Sequence, residues 1–359
     1  MRLSDTADQG RKVLSIQLLR ALAASVVALA HLAYAYADHI APGLGLPPSD
    51  GQAGQAAVAL FFLISGYIMV VSSAPLFGQR GAARHFWLRR AVRIMPPYWL
   101  ATGLLLAVML WQGSAVAGAD VWRSLAMVPY FAEAGRPPQP LLWPGWSLFY
   151  EAVFYLCFGL GLAMGKWRAV LIAATLLVAL VLAGLLTDPQ SAPLFSLTRP
   201  LLLLFIPGMA TALWVERGGA LPALVRLVLA ALVLPALVFL PMPADEAQLS
   251  FAYLVWAASP ALLLFFAVVG GPLKLPPLLA GPAQALGDAS YAIYLLHVPL
   301  ALAMPLVFPG RLYALGPWFY LATLAGGTLV ASLLFYRFVE RPLTLALNGA
   351  LNRVVASAR

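Results

Sequence analysis

Cysteine is nearly absent from this chain. Its single copy, Cys157, excludes an internal disulfide and a cysteine-based metal cluster. Histidine is scarce as well, with four copies and no H-E-x-x-H pair, so no metal is expected. A Gly-rich phosphate loop and a G-x-S-x-G nucleophile turn are also missing. The largest deficit is charge. Only 10% of the residues are charged, where a soluble domain carries about a quarter. The short alternating segments of a membrane β-barrel do not occur either.

What remains is long apolar sequence, with 62% hydrophobic residues and a mean hydropathy of +0.88. Runs near twenty residues predict an all-α, polytopic membrane helix bundle. We read about ten spans, near 13–35, 53–74, 96–113, 143–164, 167–187, 199–215, 221–241, 250–270, 287–307 and 316–338. The first run is too long for a signal-peptide core and no small-residue cleavage site follows it, so it counts as a span. No repeat, low-complexity tract or linker divides the chain, and 1–359 reads as one domain. Residues 36–52 form a Gly- and Pro-rich loop that cannot be one helix. Residues 114–142 hold a short interfacial or re-entrant piece, and 75–95 a strongly basic loop leading to Pro96 and Pro97 at the start of a span.

The net charge of +9 invites a nucleic-acid reading, but its distribution answers it differently. With the N-terminus in the cytoplasm, only Arg123, Arg136, Arg199 and Arg311 of the 22 Lys and Arg residues fall outside, and the other 18 fall inside. This asymmetry is the positive-inside signal, with both termini cytoplasmic and no nucleic-acid partner.

Polar residues inside the apolar runs are the candidates for function. Arg20 and His31 lie eleven residues apart, which puts them on nearly one helix face, about 16 Å apart along the axis. An Arg near the membrane centre costs roughly 2.5–3.5 kcal/mol on insertion scales. It can snorkel inward while the His bonds a neighbouring helix, or the two can serve a site. Glu151 is the only acid we place well inside an apolar run, and Ser147 and Tyr155 share its face at i−4 and i+4. His31 falls in the same half of the membrane, where a His–Glu pair has the chemistry of a general base with its orienting group. Arg89, Arg90 and Arg93 crowd one side of the basic segment. Topology alone would place arginines there, and bidentate binding of a phosphorylated cofactor is the functional alternative. Ser290, Tyr294 and His297 make a polar stripe at i, i+4 and i+7, suited to lining a cavity or to joining helices.

Six pieces, in order, carry a family resemblance: "IQLLRALAASVVALAH", "ALFFLISGYIMV", "FWLRRAVRIMPPYW", "GWSLFYEAVFY", "LGDASYAIYLLHVPL" and "FVERP". They resemble the acyltransferase-3 family of integral-membrane acyltransferases, from about Ser15 to Pro342, and most of all its exopolysaccharide-modifying branch. The family's Arg–ten residues–His pattern falls on Arg20 and His31, its R-R-x-x-R region on Arg89, Arg90 and Arg93, and its W-[ST]-L-x-x-E element on Trp146, Ser147 and Glu151. Many members have Arg-Gly where this chain has Arg20–Ala21. Longer members carry an additional C-terminal domain, so this chain is expected to be the membrane core alone.

The resemblance implies O-acyl transfer, O-acetyl above all, from cytoplasmic acyl-CoA (acetyl-CoA) to a sugar hydroxyl of an exopolysaccharide or other envelope glycan or glycolipid. The setting would be the bacterial inner membrane, with membrane lipid, polysaccharide-export machinery or further copies of the chain as partners. His31 and Glu151 are then the expected catalytic residues. Arg20, Arg89, Arg90, Arg93, Trp146, Ser147, Tyr150, Tyr294 and His297 are the expected contacts to acyl-CoA or acceptor. The alternative from another class is a proton-coupled transporter or a glycan or lipid translocator. Its usual repeat and paired broken helices are not seen.

Overall fold

The computed structural model describes residues 3–39, 51–133, 136–243, 249–273, 275–308 and 316–357. Among these residues every regular element is helical. Most of the loop expected at 36–52 lies outside the described residues. Among the described residues, nine helical stretches are long and apolar enough to cross a membrane: Leu14–Ala33, Gln52–Ser72, Ala82–Trp111, Trp143–Met164, Lys166–Thr187, Ala192–Glu216, Phe251–Val269, Ser290–Val307 and Trp318–Arg353. The run expected at 221–241 folds as a shorter apolar helix, Ala223–Phe239.

In chain order the helices are α1 (Leu3–His39), α2 (Gln52–Ser72), α3 (Ala82–Trp111), α4 (Gly118–Leu125), α5 (Trp146–Gly161), α6 (Lys166–Thr187), α7 (Ala192–Leu197), α8 (Phe205–Glu216), α9 (Ala223–Phe239), α10 (Phe251–Val269), α11 (Pro277–Asp288), α12 (Ser290–Val307), α13 (Pro317–Phe335) and α14 (Arg341–Ser357). A five-residue π turn, Tyr336–Glu340, joins α13 to α14.

The structure redraws two boundaries. The basic segment before Pro96 is not a loop up to residue 95, because α3 already starts at Ala82 and runs through both prolines. Each proline removes a hydrogen bond to the carbonyl four residues back. Packing outweighs that cost here: Phe86 is fully buried against the rings of Tyr155 and Phe158. The span expected to open at 287 divides instead at Ala289, between α11 and α12.

Helix α2 runs through the centre, with α1, α8 and α10 packed around it. Two glycines let α2 and α8 touch backbone to backbone. A Cβ on Gly66 would lie 2.2 Å from the Phe205 carbonyl oxygen, and one on Gly208 would lie 2.1 Å from that of Leu63. Small residues at such crossings are how membrane helices gain close packing without a hydrophobic drive. The contact also fixes the rotation of α2, and with it the direction of the neighbouring Ser65. On the periphery α9 buries no residue, and Leu171, Leu182, Leu185 and Leu186 of α6 are exposed, which suits surfaces in contact with lipid.

Replacing Gly66 with Ala forces α2 and α8 apart. We expect Gly66→Ala to destabilise the detergent-solubilised protein by about 1–3 kcal/mol, the usual cost of overpacking. Gly103→Ala, with open space around it, should leave the melting temperature unchanged. Thermal unfolding of both variants checks this.

Candidate active site

One cavity of about 170 Å³ sits between α1, α2, α3, α5 and α12. Its polar wall is assembled in layers, starting at the basic end. Arg20 of α1 and Arg90 and Arg93 of α3 line it, whereas Arg89 is exposed and lies outside the lining. Arg20 donates from Nη1 to Gln17 Oε1 at 3.0 Å, and Gln17 in turn donates to Asp288 of α11. Gln284 holds both Asp288 oxygens at 3.0 Å. Gly287 makes this possible, since a Cβ there would lie 2.5 Å from the Gln17 carbonyl oxygen. Arg93, Asp288, Glu340 and Glu151 are the charges that act on Arg20.

Arg90 stacks its guanidinium over Phe86 and Tyr155, at 5.4 and 5.7 Å from the ring centroids. One of its terminal nitrogens reaches Ser72 at 3.3 Å, but its buried Nε has no hydrogen-bond partner. A buried donor without a partner beside two further arginines is the chemistry of an anion site.

The middle layer belongs to Glu151. Its Oε1 accepts from Ser65 at 2.8 Å and from Tyr155. One turn of α5 further on, the Ser147 hydroxyl meets that of Tyr294 at 2.7 Å. Tyr294 donates to the Pro144 carbonyl in the turn before α5, which leaves Ser147 donating to Tyr294. Tyr155, Glu151 and Ser147 follow one another at four-residue steps, so this wall is about 12 Å long.

Beyond Tyr294 comes a histidine pair. His31 Nδ1 lies 2.8 Å from His297 Nε2, and the two ring planes differ by only 5°. The centroids are 5.0 Å apart. Face-to-face stacking would hold ring atoms at about 3.5–4.0 Å throughout. With one nitrogen pair this close and the centroids this far, the rings instead lie nearly in one plane, joined by an in-line N–H···N bond. Trp143 stands edge-on to His31, and Tyr294 adjoins His297 with centroids 6.1 Å apart.

The structure therefore brings Arg20, Arg90, Arg93, Ser147, Glu151 and Tyr294 to one cavity and sets His31 and His297 next to it. It does not pair His31 with Glu151, because each takes other partners and the Ser147–Tyr294 layer comes between them along the helices. A shared depth in the membrane says nothing about which way two helices face. Trp146 and Tyr150 lie off the lining and pack against Phe62. Sequence reasoning missed Ser65, Gln17, Asp288 and Glu340. Glu340 is a second acid inside an apolar helical stretch, 7% exposed, with one carboxylate oxygen lacking a hydrogen-bond partner. The signals were present in lone polar residues within "LFFLISGY", "IQLLR", "LGDAS" and "FVERP".

The acyltransferase-domain profile of the acyltransferase-3 family matches residues 13–337. The chain is 33% identical over 319 residues to the exopolysaccharide production protein ExoZ of Rhizobium meliloti, covering 84% of this chain and 93% of that protein. It is 27% identical over 331 residues to the putative peptidoglycan O-acetyltransferase YrhL of Bacillus subtilis, covering 81% of this chain and half of that protein. It is likewise 27% identical over 273 residues to the acyltransferase MdmB of Streptomyces mycarofaciens, covering 68% and 67%. No solved structure matches the chain. With the family profile spanning most of its length, and helices that suit a multi-pass bundle, the chain belongs to the acyltransferase-3 family and is a membrane O-acyltransferase.

Proposed function

We propose that the chain, acting as a single domain, moves an acetyl group from acetyl-CoA to a sugar hydroxyl of an exopolysaccharide or related envelope glycan. The donor enters from the cytoplasm at the arginine end, in the inner membrane, with both termini cytoplasmic. The observation that carries this reading is the continuous polar wall from Arg20, Arg90 and Arg93 through Glu151 to Tyr294 and the histidine pair. The phosphorylated head of acyl-CoA suits the unpartnered Arg90 Nε and its neighbours, and the thin pantetheine arm suits the cavity. The glycan acceptor is supported by the relatives named for exopolysaccharide production and peptidoglycan O-acetylation.

In the reaction, the acceptor oxygen attacks the thioester carbonyl carbon and its proton passes to His31. The C–S bond then breaks, and the thiolate leaves with that proton. Glu151 acts apart from His31: it fixes Ser65 and Tyr155 and supplies negative charge between the arginines and the reacting end. Direct transfer is favoured over an acyl-enzyme on Ser147, because among the described residues the Ser147 hydroxyl meets only the Tyr294 hydroxyl and the Pro144 carbonyl, neither of them a general base.

His31→Ala should lower kcat by about 10²–10⁴-fold, the range of general-base catalysis, while the protein still inserts. Transfer of labelled acetyl groups in membrane vesicles measures this, and a wild-type rate in His31→Ala contradicts the assignment. Arg93→Ala should raise the apparent KM for acetyl-CoA more than that for the acceptor. Equal rises would mean that the basic cluster serves topology alone. Mass spectrometry of surface glycans from a deletion strain identifies the acyl group, with loss of an acetyl increment expected.

A further inference from the structure

We infer that His297 is a positioning residue that fixes the tautomer of His31, leaving the His31 Nε2 lone pair as the base. The inference rests on His31 being that base. It follows from counting donors. His297 is 0% exposed, and its Nδ1 lies 3.1 Å from the carbonyl oxygen of Ile293, one turn back on α12. A carbonyl oxygen only accepts, so Nδ1 of His297 carries the proton. In a neutral imidazole the other nitrogen is then an acceptor, and His297 Nε2 faces His31 Nδ1 at 2.8 Å. His31 must therefore donate from Nδ1, and its own lone pair sits on Nε2. A doubly protonated His297 would be a buried cation among Ile293, Tyr294 and His31, with no carboxylate among its described hydrogen-bond partners.

This arrangement replaces the acid of a hydrolase triad with a chain of two neutral imidazoles ending on a backbone carbonyl. Orientation and tautomer are fixed, as the triad acid fixes them. His297 takes no proton itself, since its Nε2 is engaged by His31 and its Nδ1 by Ile293.

Two variants and one spectrum test this. His297→Gln keeps an acceptor where Nε2 stood, whereas His297→Leu removes it. His297→Leu should lower kcat by about 10–100-fold, as loss of an orienting partner commonly does. The KM values for donor and acceptor should stay near wild type, and His297→Gln should recover most of the loss. If Gln is as inactive as Leu, His297 carries protons and the inference is wrong. If KM for the acceptor rises while kcat holds, His297 binds substrate and the inference is again wrong. Independently of turnover, 15N spectra of protein labelled at its four histidines should show His31 protonated on Nδ1 in the wild type and no longer fixed in that form in His297→Leu. A wild-type His31 protonated on Nε2 overturns the proposal even where His31→Ala is inactive. An active His31→Ala removes the base assignment and leaves the tautomer result standing.

Discussion

In hydrocarbon a polar side chain has no water to fall back on, so each must find a partner within the protein. That requirement organises this bundle. Five helices contribute polar groups to one internal wall, while other polar pairs, such as Tyr253 with Gln55 and Tyr98 with the Ser124 carbonyl, join helices elsewhere. Gln17, Arg20 and His31 come from α1, Ser65 from α2, Arg90 and Arg93 from α3, and Ser147, Glu151 and Tyr155 from α5. Tyr294 and His297 come from α12. Helices α6 and α9, which contribute none, lie at the edge and turn leucine outward.

The wall is graded along its length. The arginine end gathers Arg20, Arg90 and Arg93, and one of its buried donors, the Arg90 Nε, is unsatisfied. The histidine end carries two imidazoles bonded to each other and to the Ile293 carbonyl, with aromatic rings around them. A donor with a charged head and a reactive thioester at the far tip of a thin arm matches that gradient. The glycines at the α2–α8 crossing serve the same end, because they lock α2 in the rotation that brings Ser65 to Glu151.

Much of this could be read from the sequence, and what could not has a common cause. The apolar runs gave the helices, and spacing within a helix gave the shared faces of Ser147, Glu151 and Tyr155 and of Ser290, Tyr294 and His297, because an i,i+4 relation is local. Which faces meet is not local. His31 and His297 are 266 residues apart in sequence, and no periodicity connects them. The expected His31–Glu151 pair matched depth without direction. Ser65 looked like one more hydroxyl in an apolar run, where it could equally have bonded its own helix. Glu340 escaped notice because the last span continues through a π turn, which a 3.6-residue period does not show. The prolines at 96 and 97 misled for a related reason: they favour a helix start, but α3 is anchored on both sides of them, by Phe86 and Trp87 against α5 and by Tyr98 donating to the Ser124 carbonyl.

The most direct measurement is a cryo-EM structure with a thioether analogue of acetyl-CoA bound. The phosphates should lie on Arg20, Arg90 and Arg93, the arm should pass Glu151, and the acyl carbon should come within one hydroxyl group's reach of His31 beside Tyr294. An acyl carbon left at the arginine end, or a nucleotide bound at the histidine end, would contradict a single wall that carries the donor from one end to the other.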